Sequence, residues 1–143
     1  MENKYLTDHE MASIVEAIKK AEEHSTGEIR VHIDSNVGVN HAEIALNVFR
    51  TLGMDKTKDR NAVLFHINFE DHYLTIIGDE GIHEKVHQSF WDQLHNKMTV
   101  QFSKQFYFQA IKDAILETGL ELKKHFPVVG ENNNELPNEI TFS

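Results

Sequence analysis

Apolar positions recur every three or four residues from Met11 through Ile14, Val15, Ile18 and Ala21, which predicts a helix over about 8–24 with one buried face. Leu6-Thr7-Asp8-His9-Glu10-Met11 opens it with a capping box, Thr7 as N-cap and Glu10 at the third helical position, while Leu6 and Met11 are spaced for a hydrophobic staple. Ser25-Thr26-Gly27 ends the pattern. From Glu28 to Asp34 the period drops to two, with Ile29, Val31 and Ile33 set against Glu28, Arg30, His32 and Asp34. That is a strand with one face on the core and a polar face at a sheet edge or under a wet cleft.

A second capping pattern at Asn40-His41-Ala42-Glu43 starts a helix whose buried stripe reads Ala42, Ala45, Leu46, Phe49 and Leu52, up to Gly53. After a polar loop at 54–60, Asn61–Asn68 is apolar on both faces, as in a central strand covered by helices, and Tyr73–Gly78 is similar. Four residues, Phe69 to His72, separate these strands, which is hairpin spacing with no Gly to define the turn. Helical periodicity returns with Ile82, Val86, Phe90 and Leu94, flanked by Trp91 and Met98, and again over about 102–124 with Phe106, Ala110, Ile111, Ala114 and Ile115. The order α-β-α-β-β-α-α predicts an α/β fold, a three-layer α/β/α sandwich around a small mixed central sheet. Residues 1–127 form the expected domain, and 128–143 an acidic C-terminal tail with Leu136, Ile140 and Phe142 as anchors.

Composition narrows the chemistry. The chain has 143 residues, one domain's length, and its formal charge of −9 repels phosphate backbones, so nucleic acid is excluded as a partner and a divalent cation favoured. With no Cys there are no disulfides, thiolate nucleophiles or Cys-ligated metals, and any metal must be held by O or N. No basic region leads into an apolar run at the start and no apolar stretch is long enough to insert into a membrane, so the expectation is a soluble, cytoplasmic chain.

Pairing the strands at 61–68 and 72–78 as a hairpin brings Asn61 opposite the neighbourhood of Asp79. If the helix after residue 40 is a right-handed crossover, the strand at 28–34 runs parallel to that at 61–68 and Glu28 arrives at the same end. Glu28, Asp59, Asn61, Asp79 and Glu80 then offer oxygen ligands suited to Ca²⁺, or to Mg²⁺. The competing reading makes Asp79 an ordinary N-cap and Glu80 a first-turn acid complementing the helix dipole.

Residues 7–127 resemble the TPM domain family, whose members include thylakoid acid-phosphatase-like proteins. The resemblance is carried by Ile14–Glu22 leading into Thr26-Gly-Glu-Ile-Arg-Val31, then Phe49–Met54, Thr57-Lys-Asp-Arg-Asn-Ala-Val-Leu64, Ile77-Gly-Asp-Glu-Gly-Ile82 with Val86 and Trp91, and His125-Phe-Pro127. The closing Asn134–Phe142 is similar to the tail of small stand-alone bacterial members. The resemblance implies an α/β/α sandwich with a divalent-cation site, often for calcium, near Glu28, Asn61 and Asp79. It also implies acid phosphatase activity for some members, and photosystem repair or receptor-complex support for others. Those organelle and membrane roles do not transfer to a chain without their signal peptide, anchor and Gly-rich tail. A metal-type phosphatase also needs a nucleophile and a cationic frame, and Arg60 is the lone Arg beside the expected cluster.

A rival motif, His83-Glu84-Lys85-Val86-His87, matches H-E-x-x-H. The metzincin extension would need Gly at 90 and His at 93, where Phe90 and Gln93 stand. Adventitious zinc or nickel binding by His83 and His87 is the expectation from this pair. His32 and His66 are expected to be satisfied by strand neighbours, and His9, His24, His41, His72, His95 and His125 to lie at termini, loops or helix surfaces. Three functional readings follow: a divalent-cation-binding or regulatory module, a metal-dependent acid phosphatase, and a metal-free interaction domain with a protein partner.

Overall fold

A computed structural model describes residues 4–128 and 134–143; the part of the acidic tail at 129–133 lies outside the described residues. Helices α1 (Asp8–Glu22), α2 (His41–Thr51), α3 (Glu80–Ser103) and α4 (Tyr107–His125) alternate with strands β1 (Glu28–Ile33), β2 (Ala62–Asn68), β3 (Tyr73–Gly78) and β4 (Thr141–Phe142), and a 3₁₀ turn occupies Met54–Lys56. The strand order is β3-β2-β1-β4. β1 runs parallel to β2 and to β4, while β2 and β3 form the antiparallel hairpin, so the sheet is mixed as expected.

The capping box of α1 is present, with the Thr7 side chain accepting from the Glu10 amide and the Glu10 carboxylate accepting from the Thr7 amide. The hairpin needs no Gly because His72 supplies the positive φ of 54° itself, and Asn68 Oδ1 ties the turn by accepting from the Asp71 amide.

The sheet faces divide the molecule. Ile29, Val31 and Ile33 of β1 with Val63, Phe65 and Ile67 of β2 join α1, α3 and α4 in the main core. The opposite face meets α2 and the 3₁₀ turn, where Phe49, Met54, Ala62 and Leu64 form a smaller cluster with Leu136 of the tail against it. These are the three layers of the sandwich.

Several expectations are corrected. The polar face of β1 is not wet: all six residues of the strand are buried, because the returning tail lies over that face, Glu135 at Glu28 and Ser143 at His32, and β4 covers the edge. Within α2 the stripe is displaced, with Ala42 and Leu46 exposed and His41, Ala45 and Phe49 buried. In α3 a residue of non-helical geometry, His87 with φ 66° and ψ 172°, interrupts the helix. It moves the buried stripe by one position, from Ile82 and Val86 before it to Trp91, Leu94 and Met98 after it. The last two helices are also separated later than the periodicity suggests. Gln105, at φ 65°, closes α3 with a Schellman motif, the Phe106 amide donating to the Gln101 carbonyl and the Gln105 amide to that of Phe102. Gln in the place that Gly usually fills hides this break, and Phe106 becomes an exposed residue ahead of α4.

Gly81 lets α3 begin against the loop before β2. Its amide donates to the Arg60 carbonyl at 2.8 Å, and a Cβ there would press on the carbonyl oxygens of Asp59 and Arg60. These are backbone atoms that cannot swing aside. Gly81→Ala is therefore expected to destabilise the fold by about 1–3 kcal/mol, measured as a lower urea midpoint with an unchanged m-value.

Candidate functional site

At the N-terminal ends of β1 and β2 the register sets Glu28 beside Ala62, and the Asp79 amide donates to the Ala62 carbonyl at 2.9 Å. The three segments expected to converge, Thr26–Glu28, Asp59–Asn61 and Gly78–Gly81, do meet there. Their side chains form two separate groups.

In the first group the Thr26 hydroxyl donates to Asp59 Oδ2 at 2.5 Å and accepts from Asn61 Nδ2 at 3.0 Å. Asn61 is fully buried and its Oδ1 has no donor. Glu28 is buried as well; its Oε1 accepts from the Glu135 amide at 2.6 Å, which pins the tail over this end of the sheet. In the second group Arg60 grips Asp79 with two hydrogen bonds, Nε to Oδ2 at 2.7 Å and Nη2 to Oδ1 at 3.0 Å, and reaches Glu80 at 3.3 Å. Asp79 is also the N-cap of α3, its Oδ1 accepting from the Glu80 amide. The capping reading of Asp79 thus holds, and Arg60 neutralises both acids. Arg60 itself takes a positive φ of 51°, which turns its carbonyl onto the amides of Gly81 and Ile82 while its side chain reaches Asp79.

One partner of Glu28 was missed in the sequence. Glu22, at the end of α1, is buried and accepts the Ile29 amide at 2.8 Å, which brings its carboxyl against that of Glu28. Burial raises Glu22 to about 8 and Glu28 to about 7 despite the backbone amides each accepts; the neighbouring Glu28 carboxyl adds to the rise in Glu22, while the hydrogen bond between the two acids lowers Glu28. At neutral pH the pair shares a proton. Its signal in the sequence is faint, an acid on the apolar side of α1 one turn after Ile18.

The opposite ends of β1 and β2 carry a second polar group that sequence reasoning dispersed. His32 and His66 are paired across the strands with rings stacked at 5.3 Å, and both are buried. His32 Nδ1 lies 2.7 Å from Thr141 Oγ1 and its Nε2 2.6 Å from Ser143 Oγ, so the tail satisfies both ring nitrogens. Burial lowers His32 to about 4 and also lowers His66. Asp34 and His41 are buried beside them; His41 is no helix-surface residue.

The H-E-x-x-H match loses its geometry. His83 and His87 are exposed, His83 Nδ1 accepts from the Trp91 indole at 3.0 Å, and the non-helical backbone at His87 breaks the one-turn alignment the motif needs. Among the described residues no helix is long and apolar enough to cross a membrane, and no three His, Asp or Glu side chains already surround a common point as metal ligands do.

The acid pair makes a prediction about stability. Both carboxyls have folded values above the ordinary 4.5, so the native chain retains protons that the unfolded chain releases. Stability is then fully present at acid pH as far as these groups are concerned and is lost as pH rises toward 8. The lowered buried histidines act oppositely and only below their unfolded value of 6.5. Between pH 7 and 8.5 the wild type should therefore lose stability on rising pH, while Glu22→Gln, which keeps an acceptor for the Ile29 amide, should lose much less. Urea midpoints at the two pH values check this, and equal losses would remove the shared proton from consideration.

Comparison with known proteins agrees with this architecture. The BA42 protein from the psychrophilic bacterium Bizionia argentinensis, solved by NMR, is 37% identical with a TM-score of 0.90, covering 100% of this chain and 99% of its own. The N-terminal domain of a P. gingivalis protein (14% identity, TM-score 0.73, 88% of this chain and 83% of that one) shares the fold. So does the N-terminal domain of cg2496 from Corynebacterium glutamicum (13%, 0.66, 91% and 81%). No curated protein is detectably similar to the chain. The TPM domain profile matches residues 2–119, most of the chain, and with the sandwich and the 37% identical relative in place the chain belongs to the TPM domain family.

Proposed function

We propose that the N-terminal end of β1 and β2 binds a hard divalent cation, Ca²⁺ or Mg²⁺, through Glu28, Asp59 and Asn61, and that the domain works as a binding or regulatory module. The observation that carries this reading is Asn61 Oδ1, a fully buried acceptor with no donor, on a side chain that shares the Thr26 hydroxyl with the Asp59 carboxylate. A buried oxygen in that state is costly unless something positive meets it. Oxygen-only donors of this kind suit a hard cation. Glu28 joins by giving up the proton it shares with Glu22, so binding and deprotonation are coupled. Asp79 and Glu80, neutralised by Arg60, supply a supporting contact on the rim.

The phosphatase reading is the weaker one. Transfer of a phosphoryl group needs a free cationic frame and a free nucleophile, whereas Arg60 is committed to Asp79 and the Thr26 hydroxyl to Asp59 and Asn61. Metal-loaded protein is expected to turn over a generic phosphate monoester only feebly.

Titration of chelator-treated protein with Ca²⁺, followed by amide NMR, should move residues 26–29 and 59–62 well before those of α4. Glu28→Gln should weaken binding at least tenfold, while Asp79→Asn, which can still cap α3, should weaken it less. Affinity should rise from pH 6 to pH 8 as the acid pair loses its proton. Uniform shifts, or a Glu28→Gln variant that binds as well as the wild type, would overturn the reading.

A further inference from the structure

A cavity of about 340 Å³ opens where the β2–β3 hairpin meets the joint between α3 and α4, at the opposite end of β2 from Asn61. Two backbone turns frame it. His72, with φ 54°, turns the hairpin that forms one wall, and Gln105, with φ 65°, turns the chain so that Tyr107 of α4 comes back against Phe102 of α3. Phe69, Phe102 and Tyr107 line the cavity with rings that hold one another, Phe69 to Tyr107 at 5.1 Å and Tyr107 to Phe102 at 5.6 Å, and Tyr5 stacks on Phe69 at 4.6 Å. The aromatic surface is thus set before a ligand arrives. Its volume lies at the small end of the range for ligand pockets, roughly 300–1,000 Å³, which is room for one or two fused rings and not for a nucleotide or a peptide.

The polar chemistry of the cavity comes from α3, where His95 and Thr99 lie one turn apart and both line it. His95 Nε2 is 2.9 Å from the Leu74 carbonyl, which can only accept, so in the neutral ring the proton sits on Nε2 and Nδ1 is an acceptor. Thr99 has a single hydroxyl proton, and it goes to the His95 carbonyl at 2.8 Å. Thr99 Oγ1 and His95 Nδ1 are nonetheless 3.4 Å apart, two acceptors facing each other with no proton between them. A donor that reaches both from outside removes the mismatch. None of the described residues that line the cavity is Lys, Arg, Asp or Glu, so a phosphate, a carboxylate or an ammonium group finds no counter-charge there.

We infer that this cavity binds a small, uncharged, planar aromatic molecule bearing an N–H or O–H donor, its rings against Phe69, Phe102 and Tyr107 and its donor shared by His95 Nδ1 and Thr99 Oγ1. This is a function separate from cation binding at the N-terminal end of β1 and β2. The rings supply most of the affinity by burying apolar surface. The acceptor pair supplies the choice among flat molecules of equal size, because only one with a donor in place leaves neither acceptor unmet. A water alone would satisfy the two acceptors without using the rings, so the donor and the rings are tested together.

The probe is indole, which joins two fused rings to one N–H, and its control is N-methylindole, which has the rings without the donor. Titrated into the full chain and followed by amide and methyl NMR, indole should give saturable shifts confined to residues 69–74, 95–103 and Tyr107. N-methylindole should bind about fivefold more weakly, the effect of one lost hydrogen bond. Thr99→Val, at an exposed position of α3, keeps the shape and removes one acceptor; it should weaken indole by about threefold and shrink its advantage over N-methylindole. Phe102→Ala should weaken both probes alike, by about tenfold, and Glu28→Gln should change neither. If Phe102→Ala fails to fold, Thr99→Val carries the test by itself. Equal binding of the two probes by the wild type would leave water as the partner of His95 and Thr99 and overturn the inference. So would saturable shifts at Val100, Ala110 and Asp113, in the groove between α3 and α4, or shifts that stay uniform and linear up to the solubility limit of indole.

Discussion

Glu28, Arg30, His32 and Asp34 all lie on one side of β1 and all are buried. Covering four such groups is costly unless each meets a partner; three of them find hydrogen-bond partners, while Arg30 keeps its Nε unpaired with its charge near Glu139. The layer on that side of the sheet is thin: one helix, a single 3₁₀ turn and the returning tail. Glu28 is met by the tail amide of Glu135 and by Glu22, His32 by Thr141 and Ser143, and Asp34 by Asn36. The tail is thus part of the polar side of the sheet. The Ser143 amide and carbonyl bond to Ile33 and Ser35, so the chain's last residues seal the edge that β1 would otherwise present to other strands.

The main core, by contrast, was legible from periodicity alone. Ile14 and Ile18 of α1, Val63 and Phe65 of β2, and Ile111 and Ile115 of α4 sit where their spacing puts them, because apolar burial is non-directional and a stripe needs only a facing stripe. What periodicity could not deliver was backbone geometry set by a single residue. His72, His87 and Gln105 each hold a positive φ without being Gly or Asn, and each redirects the chain. The shifted stripe of α3 follows from one of them.

The converging loops of the first site were legible for a related reason. Hairpin arithmetic and one parallel crossover are enough to bring Glu28, Asp59, Asn61 and Asp79 to one end of the sheet. How their charges pair was not. Arg60 chooses Asp79 through a backbone turn no pattern announces, and Glu28 meets Glu22 through a contact between α1 and the edge of β1. At the other end, His41 reads as a surface residue of a capped helix until α2 is seen to face a polar strip, where a buried imidazole fits better than the Ala42 the stripe suggested.

Structures at 13% and 14% identity keep the same fold, so the sandwich survives replacement of nearly every side chain, and membership of the family does not by itself assign a chemistry to these residues. Function must then rest on groups whose placement the fold does not require. A buried Ile needs only neighbours, and its position is explained once the core is full. An acceptor such as Asn61 Oδ1, or the facing atoms of Asp34 and His66, is not explained by packing, since an apolar side chain of similar shape would fill the same space at no electrostatic cost. Two such groups stand at opposite ends of one pair of parallel strands, one composed of oxygen alone and the other rich in imidazole nitrogen.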